Sequence, residues 1–200
     1  MAQLVLTSDT LAGTPATGTL EYNGQFFGTD SAAARAQMQR ITLSTAVAST
    51  SGTSIDFTSI PAWVKRVTCI FNNVSTNGSS AIIIQAGIST GAVTSGYTNT
   101  GGLVTTVNNT TRGVTSTNGF LTIGSGSASA YFFSGTIVLV SLGTADTWIA
   151  TGMVNNTGNS DITMTAGQVA LGGTLDRIRF TASNGTDIFD TGTVNILLEG

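Results

Sequence analysis

The side chains able to do chemistry are few: Cys69, Lys65 and three aspartates, Asp176, Asp187 and Asp190. None of the 200 residues is histidine, so a serine or cysteine nucleophile has no imidazole to take its proton. A serine–lysine pair would have to use Lys65, which stands beside Arg66 at the head of an apolar run and reads as a solvated strand-end cation. Glycoside hydrolysis needs two converging carboxyl groups, yet the only glutamates, Glu21 and Glu199, lie at opposite ends of the chain. Asp187 and Asp190 flank Ile188-Phe189 just after Asn184-Gly185, a turn composition in which aspartate oxygens accept backbone N–H bonds. Calcium ligation, or hydrolysis shared with Asp176, is the alternative to that turn role. Cys69 falls in Val67-Thr68-Cys69-Ile70-Phe71 and reads as a small buried hydrophobe, because nothing nearby activates a thiolate. Neither a cofactor nor a metal site is expected.

Charge is as sparse as chemistry. Charged residues make up 8 % of the chain, the net charge is −3, and the seven basic residues are scattered. A groove that tracks phosphates is therefore not expected, nor a nucleic-acid partner. The start, Met1-Ala2-Gln3-Leu4, lacks the basic and sustained apolar stretches of a secretory signal. No apolar run approaches the roughly 20 residues that cross a bilayer, so membrane insertion is not expected either.

What remains is a strand-forming polypeptide. Thr, Val and Ile suit pleated surfaces, while Gly and Asn supply turns. Strand candidates run over 41–47, 53–58, 65–71, 81–85, 102–107, 114–123, 130–142, 147–154, 161–165, 174–181 and 193–198. Their spacing predicts an all-β fold, an antiparallel, jelly-roll-like sandwich over 41–200. In Leu175-Asp176-Arg177-Ile178-Arg179-Phe180 the apolar residues alternate with arginine, as in a strand covered on one side. Ile82-Ile83-Ile84 and Ile137-Val138-Leu139-Val140 are apolar on both faces. Either these strands are packed on two sides or one face meets another subunit; the second reading places Ile82, Ile84, Ile137 and Leu139 at an oligomer interface. Tyr97, Tyr131, Trp63 and Trp148 could stack on sugars, although the apolar settings of the two tryptophans favour packing or an interface.

Residues 1–40 read as a separate attachment segment. Asn23-Gly24 between Leu20-Glu21-Tyr22 and Gln25-Phe26-Phe27 predicts a two-residue hairpin, and Ser31 to Arg40 predicts a short helix behind Asp30 or Ser31. A hairpin and one short helix cannot bury themselves. Leu4, Val5, Leu6, Tyr22, Phe26 and Phe27 are the candidate anchoring residues.

The run Ala48-Ser49-Thr50-Ser51-Gly52-Thr53-Ser54-Ile55-Asp56-Phe57-Thr58-Ser59-Ile60-Pro61-Ala62-Trp63-Val64-Lys65-Arg66-Val67-Thr68, with Asn73-Val74-Ser75-Thr76-Asn77-Gly78-Ser79-Ser80 after it, resembles a module of virion proteins of tailed bacteriophages. Thr174-Leu175-Asp176-Arg177-Ile178-Arg179 and Asn184-Gly185-Thr186-Asp187-Ile188-Phe189-Asp190-Thr191-Gly192-Thr193-Val194-Asn195-Ile196 resemble its closing strands. Gly18 to Phe27 is similar to a hairpin that precedes terminal modules of phage fibre proteins. The resemblance implies a non-enzymatic β-rich module, usually trimeric, displayed on a virion assembled in the bacterial cytoplasm. The expectation is a homotrimeric head-surface fibre or decoration protein bound to other virion proteins. The alternative is a tail-fibre or tail-tip adhesin that binds host glycans through the loops Asn72–Ser80 and Thr90–Gly102.

Overall fold

Between Arg66 and Phe71, Val67, Cys69 and Phe71 are buried while Arg66, Thr68 and Ile70 are not, the period of two that a strand shows when one face of its sheet is covered. The computed structural model describes residues 11, 14, 16, 18–22, 25–30, 34–105, 111–122, 128–144, 146–158 and 160–200, which fall into two units, 1–40 and 41–200. Among the described residues there are strands and turns but no helix.

The first unit is a small antiparallel sheet of β1 (Leu20–Tyr22), β2 (Phe26–Thr29) and β3 (Arg35–Gln37), in that order. Two expectations are corrected here. Arg35–Gln37, inside the expected helix, pairs with β2 through Phe27↔Gln37 and Thr29↔Arg35; a stretch too short to be helical by itself takes the hydrogen bonds of a waiting strand edge instead. Tyr22 pairs with Phe26, so three residues rather than two separate the paired positions, and Asn23-Gly24 itself lies outside the described residues.

The second unit holds β4 (Ile41–Leu43), β5 (Val47–Ala48), β6 (Ser54–Phe57), β7 (Arg66–Thr76), β8 (Ile82–Ile88), β9 (Gly91–Ala92), β10 (Thr98–Thr105), β11 (Thr111–Ser116), β12 (Phe120–Leu121), β13 (Phe133–Ser141), β14 (Thr147–Asn156), β15 (Asp161–Ala170), β16 (Arg177–Ala182) and β17 (Phe189–Glu199). The larger sheet runs β11-β10-β15-β14-β13-β7-β17-β4, with β5 also on β17; the smaller runs β12-β8-β16-β6, with β9 on β8. All pairs are antiparallel. The result is the expected antiparallel sandwich. Every expected strand stretch has an observed counterpart, but the two expected loops are partly strand: Thr98 to Gly102 belongs to β10, and Asn72 to Thr76 continues β7. There the ladder shifts register opposite Thr191 and Thr193, with Asn73 at φ 57° and Gly192 at φ 96°, a bulge that lets the polar run stay in the sheet.

One apolar core joins the two sheets. Phe180 of the smaller sheet meets Phe71 of the larger edge-on, centroids 5.1 Å apart, and its neighbour Phe57 at 5.8 Å, the arrangement ring quadrupoles favour. Cys69 is fully buried, and burial pushes its thiol well above the ordinary range, so it packs and does not react. Tyr97 lies across the inner side of β8: its hydroxyl accepts the Ala86 N–H at 2.8 Å and donates to the Ala86 carbonyl at 3.2 Å, while its ring stands edge-on to Phe120 at 5.0 Å. Tyr97→Phe keeps the ring but strands a buried N–H, so it is expected to cost about 1–3 kcal/mol; a lower urea midpoint at unchanged m-value checks this.

Candidate functional site

The three aspartates are not brought together. Asp176 and Asp187 sit beyond opposite ends of β16, a strand of 6 residues, which at about 3.3 Å per residue spans roughly 20 Å, well outside the ~5–9.5 Å of glycosidase carboxyl pairs. Asp176 lies 3.8 Å from Arg177, and Asp190 is exposed. Asp187 has the turn role expected of it: one oxygen accepts Asn184 Nδ2–H at 2.6 Å and the other the Ser80 N–H at 2.9 Å. A Cβ at residue 78 would coincide with this carboxylate, which explains the glycine there. The loop is closed from the other side by Asn77 Oδ1, which accepts the Ile188 N–H at 2.9 Å.

Asn184 first, and the Ser80 amide second, hold the Asp187 carboxyl below its ordinary pKa. A lowered folded pKa stabilises fully above the unfolded value, about 3.9, and that contribution is lost as pH falls through the folded value. Because Asp187 is partly exposed, the contribution is at most about 1 kcal/mol. The Ser80 amide proton shift is expected to titrate with an acid-side midpoint below the usual aspartate value and to stop titrating in Asp187→Asn.

The residues expected at an oligomer interface are elsewhere. Ile82, Ile84, Ile137 and Leu139 are all fully buried within the chain's own core, so they are corrected to core residues. In β13 the outward parity belongs to Val138 and Val140, and Val140 is exposed. Across the outer face of the larger sheet the ladder sets apolar side chains directly opposite one another: Val104 and Ile162, Met164 and Met153, Ile149 and Val140. These six are 39 % (Ile149) to 59 % (Met153) exposed. Sequence reasoning missed them because alternation marks two faces without saying which one is inside.

Of the expected anchoring residues, Leu4, Val5 and Leu6 lie outside the described residues. Tyr22 and Phe26 face each other across β1 and β2 with ring centroids 5.0 Å apart. Leu20, two residues before Tyr22, shares their face and is 63 % exposed; Phe27 points to the opposite one. The apolar side chains that share one side of this sheet are thus Leu20, Tyr22 and Phe26.

The aromatic platform dissolves likewise, since Tyr97 and Trp148 are buried and Trp63 and Tyr131 pack partly buried against the core. A polar cleft of about 300 Å³ does open on the outer side of the smaller sheet. On its floor Gln85, opposite Arg179 in register, donates Nε2–H to the Asn118 carbonyl at 2.7 Å. At its rim Arg179 Nε and Nη2 grip Asp56 at 2.8 and 2.9 Å. This pair is locally neutral, so the cleft offers fixed donors and acceptors without net charge. Comparison of the chain with known protein families, curated proteins and solved structures finds no match.

Proposed function

We propose that this chain is a non-enzymatic structural protein of a tailed-phage virion, a homotrimer on the head surface. Residues 1–40 attach it to other virion proteins, and residues 41–200 project outward. The observation that carries this reading is the division of labour between the units: a large sandwich with its own core beside a three-stranded sheet that leaves Leu20 and Phe26 exposed. Each such side chain contributes about 1.5–3 kcal/mol when a partner buries it. Three copies held in one oligomer turn such modest contacts into tight attachment. The resemblance of the 48–80 and 174–196 segments to phage modules supplies the particle.

Quantitative mass spectrometry of purified particles tests this. Hundreds of copies per virion are expected for a head protein, and absence of the chain from particles would refute the proposal. The second reading, a tail adhesin for host glycans, is favoured by the polar, net-neutral cleft around Gln85, Asn118 and Arg179. It requires a handful of copies per particle and saccharide binding that Gln85→Ala weakens.

A further inference from the structure

The first half of strand β15 is inside out. Its inward positions there are polar, with Asp161, Thr163 and Thr165 all buried, while Ile162 and Met164 point outward at 49 % and 46 % exposure; only toward the end of the strand does Val169 turn in and Gln168 out. A sandwich whose faces both met water would carry the opposite pattern, and a slip of one residue would produce it. The register is nonetheless pinned from inside. Asn99 of β10 donates Nδ2–H to Thr165 Oγ1 and to the Ala166 carbonyl, each at 2.9 Å, and its Oδ1 accepts the Leu121 N–H at 3.0 Å. These bonds hold threonine in, and so hold isoleucine and methionine out.

The neighbouring strands continue what β15 begins. The six opposed side chains from Val104 to Val140 form one patch over β10, β15, β14 and β13, and the only charged residue in these four strands is the inward Asp161. The outer face of the smaller sheet is the internal contrast, for it carries Asp56, Arg177 and Arg179. Charge runs through the outer face of the smaller sheet, whereas the outward positions of β10, β15, β14 and β13 in the larger sheet carry none. Across β7, β17 and β4 the outward positions add Ile70, Leu197, Leu43 and Ile41, and the charge beside them is the ion pair of Arg66, opposite Val140, with Glu199, opposite Ile41, 3.3 Å apart. Seven strands at about 4.8 Å spacing and some 25 Å of strand length give an area on the order of 800 Å², comparable with the ~800 Å² per partner of a stable interface.

We infer that the outer face of the larger sheet is the surface through which copies of this chain meet one another. A charged partner would find no counter-charge on the outward positions of these four strands, where the six apolar side chains stand among neutral ones such as Thr100, Thr151, Asn155 and Gln168; a second copy brings the same uncharged, largely apolar surface. The inference rests on the oligomer proposed above and names the face that builds it.

The test is made on the full chain at micromolar concentration. Light scattering is expected to give a multiple of 20.3 kDa, and Met153→Glu with Ile162→Glu is expected to reduce it to the single-chain mass with the far-UV spectrum unchanged. Ile188→Glu, an exposed apolar position outside this face, is expected to leave the oligomer intact. Peroxide oxidation of the unmodified protein gives an answer that needs no variant to fold: Met153 and Met164 are expected to oxidise at least about tenfold more slowly than in the urea-unfolded chain. A dimer with both methionines protected upholds this surface and overturns the trimer. A trimer whose Met153 and Met164 oxidise as fast as in the unfolded chain overturns this surface and leaves the trimer standing; a monomer overturns both.

Discussion

Phe180→Ala is expected to lower the stability of the sandwich by about 3–5 kcal/mol, a large part of the ~5–15 kcal/mol that holds a typical domain together. The ring is fully buried and is the link between the sheets, edge-on to Phe57 beside it and to Phe71 across the core. Removing it leaves a cavity that neighbours on two different sheets cannot both move to fill. It also ends two aromatic contacts worth about 0.5–1.5 kcal/mol each beyond their buried area. Phe180→Leu, which keeps most of the volume, is expected to lose markedly less. Chemical denaturation of the two variants checks the order, and equal losses would show that the rings act only as bulk.

Deleting residues 1–40 is expected to abolish incorporation into particles while leaving a folded body. The body keeps its two sheets, its single core and its own strand pairings without any residue of the first unit. The first unit offers Leu20, Tyr22 and Phe26 on one face of a sheet of three short strands, apolar area that a partner would remove from water. Particles grown with the truncated chain should lack it by immunoblot, while the truncated protein gives the far-UV spectrum of a β protein. Normal incorporation would place the attachment function on the body instead.

How much of this could be read from the sequence depends on what each segment's pattern can distinguish. The strand stretches were legible because turn residues bracket short β-branched runs, and Ile178 and Phe180 alternating with Arg177 and Arg179 told both the strand and its buried side. Cys69 and Asp187 were legible from immediate context. The exposed apolar set on the outer face of the larger sheet was not. In Ile137-Val138-Leu139-Val140 both parities are apolar, so nothing local says that Ile137 and Leu139 turn inward. In Ile162-Thr163-Met164-Thr165 the alternation is clear, but ordinary burial would put isoleucine and methionine inside. Only the Asn99 bonds, which come from a strand more than sixty residues away, reverse that choice. The alanine-rich run after Asp30 misled for a similar reason. Helix propensity is a local quantity, whereas the edge of β2 that takes up Arg35–Gln37 is a tertiary one.

The chain is proposed to work by standing in several copies on a particle, joined through the outer face of its larger sheet. Cryo-EM of the intact virion examines this most directly. Threefold density that fits residues 41–200, with the outer face of the larger sheet turned toward the symmetry axis and residues 1–40 at the particle surface, is the expected result. Density showing isolated single copies, or three copies that leave Met153, Ile162 and Met164 facing solvent, would contradict it.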